Sequence, residues 1–460
     1  MNVEIVVLAA GKGSRMKSKL PKVLHRLAGK ALAEHVVDTV EGLGKIHLVV
    51  GHGANQVEDH FSERAVSFVT QTEQLGTGHA VAQAMPNVDP ESIVLICYGD
   101  VPGVRRETYE GLIAIAEHGD VGLLTIRIKD PTGYGRIIRD ERGNVVGIVE
   151  QKEATIEELS IDEVNTGLMA VKAKYLNEWL PKLSAANSKG EYYLTDIISM
   201  ASNNGVKVTA MMGRDEKEVA GINNKEQLAV MERAWQLREA RRLMQAGATV
   251  IDPARIDVRG TLKIGQDVFL DANILFEGLV VLGDDVQIAP GCVIRNSVIG
   301  NGVIIKPNTV IDGATIGDDV SVGPFARIRP GTVLAPDAQV GNFVEVKNAT
   351  IGQASKVNHL SYIGDAEVGR KVNVGAGSIT CNYDGVKKHT THIGDEAFIG
   401  SNSTLIAPIN VGDNAFVGAG STLSKNVPAQ DLTIARAEAK TITGWQSPLV
   451  KAQKAEASES

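Results

Sequence analysis

A glycine-rich segment near the start of the chain carries residue types that bind phosphate groups. It reads Leu8-Ala9-Ala10-Gly11-Lys12-Gly13-Ser14-Arg15-Met16. The backbone N–H groups of such a loop, with a helix N-terminus behind it, favour anions. The segment lacks the dinucleotide fingerprint, because Met16 stands where the third glycine belongs, and it also lacks the Walker pattern. A tight turn with surface cations stays open as an alternative, while the clustering of Lys12, Arg15 and Lys22 favours a polyphosphate ligand.

A carboxylate follows a second apolar run. Asp100 comes just after Ile93–Cys97, which reads as a buried strand. It therefore lies at the sheet edge where α/β proteins bind ligands. A carboxylate there suits Mg²⁺, which prefers oxygen ligands and shared phosphates. The other interpretation is a cap on the next helix, but the neighbouring Tyr98 and Gly99 favour the metal.

Two histidines raise a different metal chemistry. His389 and His392 lie close together in the second half of the chain. Zinc needs three good ligands in one place, and no third histidine has a fitting context. We therefore expect a loop here rather than a metal site.

The second half of the chain has a six-residue period. From Ile264 to Leu423 an aliphatic residue recurs every six positions with occasional one-residue slips, and the register breaks at Thr380–His392. A hexapeptide repeat is typical of a coil of parallel β-strands, with Gly, Asn or Asp at its corners. A β-sandwich would show two-residue alternation and uneven turn spacing, so we predict the coil. The break fits a loop extruded from it.

The first half alternates short apolar runs with helical stretches. The runs are Ile5–Leu8, His47–Val50, Ile93–Cys97 and Gly122–Ile126. This alternation predicts a mostly parallel sheet with helices on both faces. A long helix is predicted over Lys225–Gln245, where Asn224 begins a capping box and Gly247 ends the helix.

These patterns divide the chain. We expect one domain over residues 1–224 and a second over 249–446, joined by a linker helix at 225–248. The segment from 447 to 460 is rich in Lys, Glu, Ala and Ser, and this composition predicts a disordered tail.

Composition excludes several classes of function. A chain of 460 residues with 43% hydrophobic residues has room for two or three domains. The net charge of −8 gives no global basic field for nucleic acid, and no apolar run is long enough to span a membrane. The apolar stretch Val3–Ala10 lacks a basic leader, so it reads as a strand rather than a signal peptide. Three scattered cysteines, Cys97, Cys292 and Cys381, fit a reducing cytoplasm.

The glycine-rich segment, followed by Pro21 and Lys22, resembles the signature of sugar-1-phosphate nucleotidylyltransferases. Further matching positions are Gln71, Gln74-Leu75-Gly76-Thr77-Gly78, Tyr98-Gly99-Asp100, Gly133-Tyr134-Gly135-Arg136, Glu150, Asn165-Thr166-Gly167 and Gly221-Ile222-Asn223-Asn224. With the hexapeptide half, the resemblance covers roughly residues 3–446. Over that range the chain is similar to the bacterial bifunctional family that joins N-acetylglucosamine-1-phosphate uridylyltransferase to glucosamine-1-phosphate N-acetyltransferase.

The resemblance implies both a fold and a pathway. The fold is an α/β protein, with an N-terminal Rossmann-like nucleotidyltransferase domain followed by a C-terminal left-handed parallel β-helix. The C-terminal domain would acetylate glucosamine-1-phosphate with acetyl-CoA as co-substrate. The N-terminal domain would then combine the product with UTP to give UDP-N-acetylglucosamine and pyrophosphate, for peptidoglycan and lipopolysaccharide precursors. Relatives form homotrimers through the β-helix, with acetyl sites between subunits, so we expect a cytoplasmic homotrimer.

The resemblance also implies roles for N-terminal residues. Arg15 and Lys22 would be catalytic, because they neutralise charge on the triphosphate and the pentavalent phosphorus. Asp100 and Asn223 would hold Mg²⁺. The nucleotide and nucleotide-sugar positions are Leu8, Ala9, Ala10, Gly11, Lys22, Gln71, Gly76, Thr77, Tyr98, Gly99, Asp100, Gly135, Glu150, Asn165 and Asn223. Of these, Gln71, Gly76 and Thr77 would contact the uracil, and Gly135, Glu150 and Asn165 the sugar.

In the hexapeptide half, the resemblance makes His359 the general base that takes a proton from the sugar amine. Imidazole suits this role because its pKa lies near neutrality, whereas the residues alone would indicate a surface histidine at a coil corner. Glu345 is a candidate to orient His359. Glucosamine-1-phosphate would bind Arg329, Lys347, Tyr362 and Asn373, and acetyl-CoA would bind Ala376, Asn382, Tyr383, Ser401, Ala419 and Arg436.

Two alternatives and one departure from the family pattern remain. The chain could be another sugar-1-phosphate nucleotidylyltransferase with a purely structural β-helix, which would not need His359, Arg329, Lys347 and Tyr362 together. A non-catalytic scaffold is disfavoured by Arg15, Lys22 and Asp100. Gly103 stands where many relatives carry leucine, and we expect it to loosen the loop after Asp100.

Overall fold

The computed structural model describes residues 2–458 and divides the chain into two compact units. The N-terminal unit comprises residues 1–242 and 256–260, and the C-terminal unit comprises 243–255 and 261–460. No helix in the part of the chain that is described is long and apolar enough to cross a membrane.

The N-terminal unit is built on one mixed sheet. Its strands are β1 Val3–Leu8, β2 Arg26–Leu27, β3 Lys30–Ala31, β4 Lys45–Val50, β5 Val66–Thr70, β6 Ile93–Tyr98, β7 Val121–Arg127, β8 Arg136–Arg139, β9 Val145–Val149, β10 Glu163–Lys172 and β11 Val208–Met212. Its helices are α1 Leu32–Val40, α2 Ala54–His60, α3 Thr77–Ala84, α4 Arg106–Glu117, α5 Ile156–Leu159, α6 Ala173–Trp179, α7 Asp196–Asn203, α8 Glu216–Val219 and α9 Lys225–Gln245.

The sheet has the order β11-β7-β10-β6-β1-β4-β5, and the small β2–β3 hairpin stands apart from it. Every neighbouring pair in this order is parallel except those of β10, which runs antiparallel to both β6 and β7. The prediction of a mostly parallel sheet is therefore confirmed. Parallel strands end at the same edge, so the loops after β1 and β6 are brought side by side.

Alternation along the strands explains why helices cover both faces. In β1, Ile5 and Val7 pack into one hydrophobic cluster with α1 and α4, while Val6 and Leu8 pack into another with α3, α6 and α7. Successive side chains of a strand point to opposite faces. A continuous apolar run thus gives a strand that is buried on both sides.

The C-terminal unit is a coil of short strands. They are β12 Thr249–Val250, β13 Ile256–Lys263, β14 Phe269–Leu270, β15 Ile274–Leu282, β16 Gln287–Ile288, β17 Val293–Arg295, β18 Val298–Ile299, β19 Ile304–Ile305, β20 Val310–Asp312, β21 Thr315–Ile316, β22 Ser321–Val322, β23 Arg327–Ile328, β24 Val333–Leu334, β25 Gln339–Asn342, β26 Glu345–Lys347, β27 Thr350–Ile351, β28 Lys356–His359, β29 Tyr362–Gly364, β30 Ala366–Val368, β31 Asn373–Val374, β32 Ile379–Cys381, β33 Thr391–Ile393, β34 Phe398–Ile399, β35 Thr404–Ile406, β36 Ile409–Val411, β37 Phe416–Val417, β38 Thr422–Leu423 and β39 Leu432–Thr433. A helix, α10 Pro448–Ser458, follows.

Strands of successive coils pair in parallel. In one ladder Ile294 lies beside Ile311, Ile311 beside Ile328, and Ile328 beside Val346. All four side chains are buried, and partners are 17 or 18 residues apart, which is three hexapeptides per coil. The predicted hexapeptide β-helix is therefore confirmed. Each coil buries its aliphatic residues against its neighbours, as repeat architectures require.

The end of the chain differs from the predicted disordered tail. Residues 448–458 form the helix α10, and the Oγ of Ser447 accepts a hydrogen bond from the N–H of Val450 (3.3 Å). Ala, Gln, Lys and Glu are strong helix formers, so a solvated segment of this composition satisfies its backbone locally. Residues 459 and 460 lie outside the described part.

Candidate active sites

The N-terminal unit contains a cavity of about 500 Å³ at the edge where β1 and β6 end. Leu8, the last residue of β1, lies beside Tyr98, the last residue of β6. The cavity is lined by Leu8, Ala9, Ala10, Gly11, Lys12, Lys22, Val23, Gln71, Gln74, Gly76, Thr77, Ala80, Tyr98, Asp100 and Glu191. It therefore brings together the glycine-rich segment, the predicted uracil residues and Asp100.

The glycine-rich segment turns back on itself to bring its cations to this cavity. Gly13 has φ +57°, the left-handed region that suits glycine, and begins a short turn of 3₁₀ helix. A Cβ at this position would lie 2.7 Å from the Cβ of Lys22. A glycine here thus allows the loop and Lys22 to lie side by side.

Two side-chain cations and two side-chain oxygens meet beside the cavity, and Lys22 and Asp100 of this group line it. The Nζ of Lys22 forms an ion pair with Asp100 and lies 3.2 Å from the Oδ1 of Asn223. The same Oδ1 accepts a hydrogen bond from the guanidinium of Arg15 (2.9 Å). The ammonium and guanidinium groups therefore contact an oxygen pair, on Asp100 and Asn223, whose two members lie far apart in the sequence.

The donor set fits a Mg²⁺ site. One ammonium nitrogen contacts both Asp100 and Asn223, so a single cation reaches a carboxylate and an amide oxygen together. Mg²⁺ commonly takes one or two protein oxygens and completes its shell with phosphates and water. Among the described residues no group of three or more His, Cys, Asp or Glu is placed to hold a metal, which is consistent with such a sparse set.

Asn223 is available for this role because its neighbour caps the long helix. The Oδ1 of Asn224 accepts a hydrogen bond from the N–H of Gln227 (2.8 Å), and the Oε1 of Gln227 accepts one from the N–H of Asn223 (2.8 Å). The first bond is the N-cap half of the capping box that the sequence predicts, whereas the second goes to the N–H of the residue before the cap. The cap and the oxygen donor are thus different residues.

The predicted uracil residues form one wall of the cavity. Gln71 is 3% exposed, and its Nε2 donates to the carbonyl of Gly76 (3.2 Å) and lies 3.0 Å from the Nδ1 of His79. Gly76 has φ +113°, and a Cβ there would lie 2.6 Å from the carbonyl oxygen of Tyr192. The segment after Gly76 therefore depends on close backbone contact with residues 191–192.

The predicted sugar residues lie together beyond β8. The N–H of Asn165 donates to the carbonyl of Gly135 (2.9 Å), and a Cβ at Gly135 would meet the Glu150 carboxylate at 3.5 Å. The hydroxyl of Thr195 donates to Glu150 (3.3 Å). Burial, then the charges of Asp100 and Glu150, raise the pKa of Tyr98 well above its ordinary value, so its phenol stays neutral.

A buried arginine holds the turn that leads to these residues. Arg136 is 2% exposed and donates to the carbonyl of Tyr134 and to the Oε1 of Gln151 (2.8 Å). That oxygen also accepts the N–H of Gly133 (3.1 Å). The arginine thus fixes both sides of the segment that carries Gly135.

The expectation that Gly103 loosens its loop is wrong. A Cβ on Gly103 would lie 2.8 Å from the carbonyl oxygen of Lys217 and 2.9 Å from that of Glu218. The loop after Asp100 is packed against this backbone, and the N–H of Ile222 donates to the Asp100 carbonyl (2.9 Å). The missing side chain therefore permits tight packing next to the oxygen pair.

In the C-terminal unit, His359 lies exposed at the end of β28 beside Asn342 of the previous coil. The His359 Nδ1 is 2.9 Å from the Asn342 Oδ1. Glu345, the candidate to orient His359, instead forms an ion pair with Arg329 (2.7 Å). With Nδ1–H donating to Asn342, the ring's Nε2 keeps its lone pair for a proton.

His359 is followed along the coil by residues expected to bind acetyl-CoA. Strand register puts Val357 beside Val374, Val374 beside Ile399, and Ile399 beside Val417. Two positions later in these coils stand His359, Ala376, Ser401 and Ala419. The guanidinium of Arg436 donates to the carbonyl of Ala419 (2.8 Å) and ends this column.

A polar cluster lies where the loop leaves the coil. Asn382 donates to the hydroxyl of Tyr362 (3.4 Å) and to the carboxylate of Asp365. Lys347 precedes Asn348, which also donates to Asp365 (2.6 Å). Asn373 stands in β31, and Tyr383 extends from the loop with 61% of its surface exposed.

Sequence analysis missed several residues of these sites. In the N-terminal unit they are Glu191 and Thr195, and in the C-terminal unit they are Asn342, Asp365 and Lys388. Lys347 lowers the pKa of Lys388, because two nearby ammonium groups repel each other, while the charge of Asp365 opposes this effect. The break at 380–392 pointed to this loop, but no motif singled out its lysine.

The two loop histidines have separate carboxylate partners. His389 contacts Asp384 (2.7 Å), and His392 contacts Glu367 (3.0 Å). Hydrogen bonds from the Lys387 N–H and the His389 ring lower the pKa of Asp384. The two histidines therefore belong to two separate ion pairs.

Comparison with known proteins identifies the same parts. Residues 5–175 match the model of a MobA-like NTP transferase domain, residues 250–359 match a GMPPB C-terminal domain, and residues 390–425 match a hexapeptide repeat of succinyl-transferase. These matches agree with the sheet unit and the coil described above.

Whole-length relatives carry one description. The chain is 54% identical over 448 residues to the bifunctional protein GlmU of Marinobacter nauticus, covering 97% of this chain and 99% of that protein. It is 54% identical to GlmU of Saccharophagus degradans over 98% of this chain and all of the relative. It is 50% identical to GlmU of Pseudomonas putida over 97% of this chain and 99% of the relative. The chain belongs to the family of bifunctional GlmU proteins.

Proposed function

We propose that the N-terminal cavity transfers a uridylyl group from UTP to N-acetylglucosamine-1-phosphate, and that the coil surface around His359 acetylates glucosamine-1-phosphate with acetyl-CoA. Family membership and the two kinds of domain support both transferase activities. The observation that carries the first assignment is the side-chain cluster of Arg15, Lys22, Asp100 and Asn223, of which Lys22 and Asp100 line the cavity.

In the first reaction an oxygen of the sugar phosphate attacks the α-phosphorus of UTP. The bond from that phosphorus to the bridging oxygen breaks, and pyrophosphate leaves. Such a step needs alignment and charge neutralisation rather than covalent help from the protein. The backbone of Gly11–Ser14 would hold phosphate oxygens, and Arg15 and Lys22 would neutralise the charge that builds up on them.

Asp100 and Asn223 would hold Mg²⁺, which when bound supplies positive charge to the phosphates. Lys22 pairs with the same carboxylate, so its ammonium lies beside the oxygens that would hold the metal and the phosphates. Gln71 would contact the base, while Glu150 and Asn165 would contact the sugar hydroxyls.

In the second reaction the sugar amine attacks the thioester carbonyl. As the carbon–nitrogen bond forms, the Nε2 of His359 takes the amine proton, the carbon–sulfur bond breaks, and coenzyme A leaves as the thiolate, to which the imidazolium of His359 can return that proton. Lys347, Lys388 and Arg329 would receive the sugar phosphate. Arginine binds phosphate as a planar fork and lysine as a point charge. The column that runs from Ala376 to Ala419 would lie along the pantetheine arm.

Homotrimer formation is part of the proposal. Phe325, Phe343 and Leu360 occupy the same corner of successive coils with φ of 55°, 55° and 49°, and are 50%, 56% and 62% exposed. The left-handed region is unfavourable for such side chains. Phe343 and Leu360 directly follow Asn342 and His359, so a second copy that covers this column would also enclose the histidine.

Three free thiols support a reducing compartment for these reactions. Cys97 and Cys292 are buried, and Cys381 is partly buried. We infer that the protein works in the cytoplasm, where thiols stay reduced.

Two assays on the full chain test the assignment of sites. Asp100→Ala should lower Mg²⁺-dependent pyrophosphate release from UTP by about 10²-fold or more and leave acetyl-CoA-dependent thiol release unchanged. His359→Ala should do the reverse, with a loss of about 10²–10⁴-fold. His392→Ala, an exposed histidine of the neighbouring coil, is the matched control.

Each assay has an outcome that would contradict the proposal. Equal loss of both activities in His359→Ala would show that the sites are not independent. Intact pyrophosphate release in Asp100→Ala would remove the metal role. A wild-type chain without thiol release would favour a nucleotidylyltransferase with a structural β-helix.

A further inference from the structure

Asp365 occupies an unusual corner of the coil. It lies between β29 and β30 with φ +46° and is 9% exposed. One carboxylate oxygen accepts a hydrogen bond from the Nδ2 of Asn348 (2.6 Å), and the other accepts one from the Nδ2 of Asn382. These three residues are 17 positions apart, so Asp365 is the middle rung of a side-chain ladder that ends at the extruded loop.

The turn itself does not require a carboxylate. At the same corner the preceding coils place Asn296, Gly313, Gly331 and Asn348, all with positive φ and all uncharged. Asparagine and glycine both satisfy the left-handed conformation. Asp365 is charged, unlike the residues at this corner of the preceding coils. It lies in the coil where the loop begins and where the residues proposed to bind both substrates meet.

Asp365 contacts both ends of that loop. Besides the bond from Asn382, its backbone carbonyl accepts the N–H of Thr391 (3.1 Å), where the coil resumes. Its own N–H donates to the carbonyl of Lys347 (3.0 Å). The carboxylate thus lies between one proposed acetyl-CoA residue and one proposed phosphate residue.

Two lysines lie near enough to this carboxylate for their charges to lower its pKa. Lys347 lies on β26 and Lys388 on the loop, and the titratable groups around Lys388 are Lys347, Asp365 and Tyr362. Two adjacent ammonium groups repel each other, and a nearby carboxylate offsets that repulsion. Such a pair would present two positive charges to the dianionic phosphate of the sugar.

We propose that Asp365 is a positioning residue for acetyl transfer, which orients the side chain of Asn382 and keeps Lys347 and Lys388 together as the charged pair that receives the sugar phosphate. This inference rests on the proposed acetyltransferase function.

The direction of the electrostatic effect follows from the neighbours. Burial works against ionisation of Asp365, but the bonds from Asn348 and Asn382, then the charges of Lys347 and Lys388, lower its pKa. Lys347 lowers the pKa of Lys388, and the charge of Asp365 opposes this. Neutralising Asp365 therefore lowers the pKa of Lys388 further, so Lys388 loses its proton at a lower pH than in the wild type.

The test is Asp365→Asn in the full chain, with KM for glucosamine-1-phosphate measured across a pH series. The ratio of variant to wild-type KM should rise with pH to several-fold at the alkaline end of the series, because Lys388 loses its proton at a lower pH in the variant. In a Lys388→Ala background, Asp365→Asn should no longer change this pH dependence. KM for acetyl-CoA should rise at all pH values, because the amide of the variant offers a single acceptor oxygen to Asn348 and Asn382 together.

Controls separate this role from a structural one. Asp319→Asn changes an exposed corner aspartate with φ +56° in an earlier coil and should leave both KM values unchanged. Pyrophosphate release by Asp365→Asn reports that the chain is intact. A KM ratio for glucosamine-1-phosphate that is constant with pH would overturn the inference while leaving the acetyltransferase assignment standing. A wild-type chain without thiol release would instead overturn the function on which it rests.

Discussion

The two candidate sites are built in opposite ways. The N-terminal site collects loops from distant parts of its unit at one sheet edge, around a cavity of about 500 Å³. The C-terminal site uses equivalent positions of successive coils, so His359, Ala376, Ser401 and Ala419 form a column on the outside of the repeat. The first site is enclosed by its own unit, whereas His359 is exposed on the second.

A single copy of each architecture supplies a different kind of binding site. A sheet with helices on both faces leaves a crevice at its carboxyl edge, and loops close around it. A β-helix fills its narrow interior with aliphatic layers, so its chemistry lies outside, at corners and extruded loops. We expect the C-terminal site to depend on assembly and the N-terminal site to be insensitive to it.

The sharpest test of this comparison is to remove the apolar corner column. In the triple variant F325N/F343N/L360N the backbone keeps its left-handed corners, because asparagine tolerates that region, but the apolar cover is lost. We expect monomers by sedimentation, a loss of acetyl transfer on the order of a hundredfold from misplaced groups, and unchanged pyrophosphate release.

The matched control for that triple variant is Leu279→Asn, which changes an exposed aliphatic residue (53% exposed) outside the column. It should leave both activities and the sedimentation of the wild type unchanged. A triple variant that is monomeric yet fully active in acetyl transfer would show that a single copy suffices, and the comparison would fail.

Because the two sites are built differently, different features of each could be predicted from the sequence. The glycine-rich segment and Asp100 each follow an apolar run, and these runs form β1 and β6 in the structure. Since ligands bind at the carboxyl ends of such strands, the sequence predicted that the two would lie at the same edge of the sheet. The six-residue period predicted the coil because each coil repeats the same burial. Local pattern thus predicted the sheet edge and the repeat.

Contacts between distant segments were not predictable in this way. Glu191 and Thr195 reach the first site only because the backbone of Tyr192 packs on Gly76. Asn342 meets His359 because strand register aligns positions 17 residues apart, whereas the sequence analysis named only Glu345 as a candidate partner. Gly103 was misread because its partner, the backbone of residues 217–218, lies far away in sequence.

A smaller effect should follow from the residue that orients His359. Asn342→Ala removes the acceptor of the Nδ1–H (2.9 Å), so the ring is free to rotate and to change tautomer. We expect kcat for acetyl transfer to fall by about tenfold, less than for loss of the base itself, with KM for both substrates nearly unchanged. Glu345→Gln should instead raise KM for the sugar phosphate, since Glu345 holds Arg329. Equal kcat in Asn342→Ala and the wild type would leave His359 without a positioning partner.

The smallest predicted effect concerns thermal stability. It should be confined to the N-terminal unit, which contains a buried carboxylate, and should not reach the coil, whose buried layers are aliphatic. At the start of β10, Glu163 is 4% exposed, and its carboxylate accepts two hydrogen bonds from Arg139 (2.7 and 3.0 Å) and one from Thr125 (2.8 Å). Burial alone would raise the pKa of Glu163, but these bonds from Arg139 and Thr125 lower it. Because its pKa is lowered in the folded state, the Glu163 carboxylate stabilises the protein at pH values above the ordinary glutamate pKa. This stabilisation is lost as the pH falls through the pKa of the folded state.

Glu163→Gln should therefore lower the melting temperature of the N-terminal unit near neutral pH, by the few degrees that about 1–3 kcal/mol represents. The difference from the wild type should shrink as pH falls below about 4, because the wild-type carboxylate then becomes protonated as well. Asp162→Asn is the matched control: its carboxylate is 64% exposed and lies 3.8 Å from Arg127, so we expect little change. The coil, whose buried layers are aliphatic, should melt at the same temperature in both variants. A Glu163→Gln effect that is constant with pH would show that packing, rather than the ion pair, is what this carboxylate contributes.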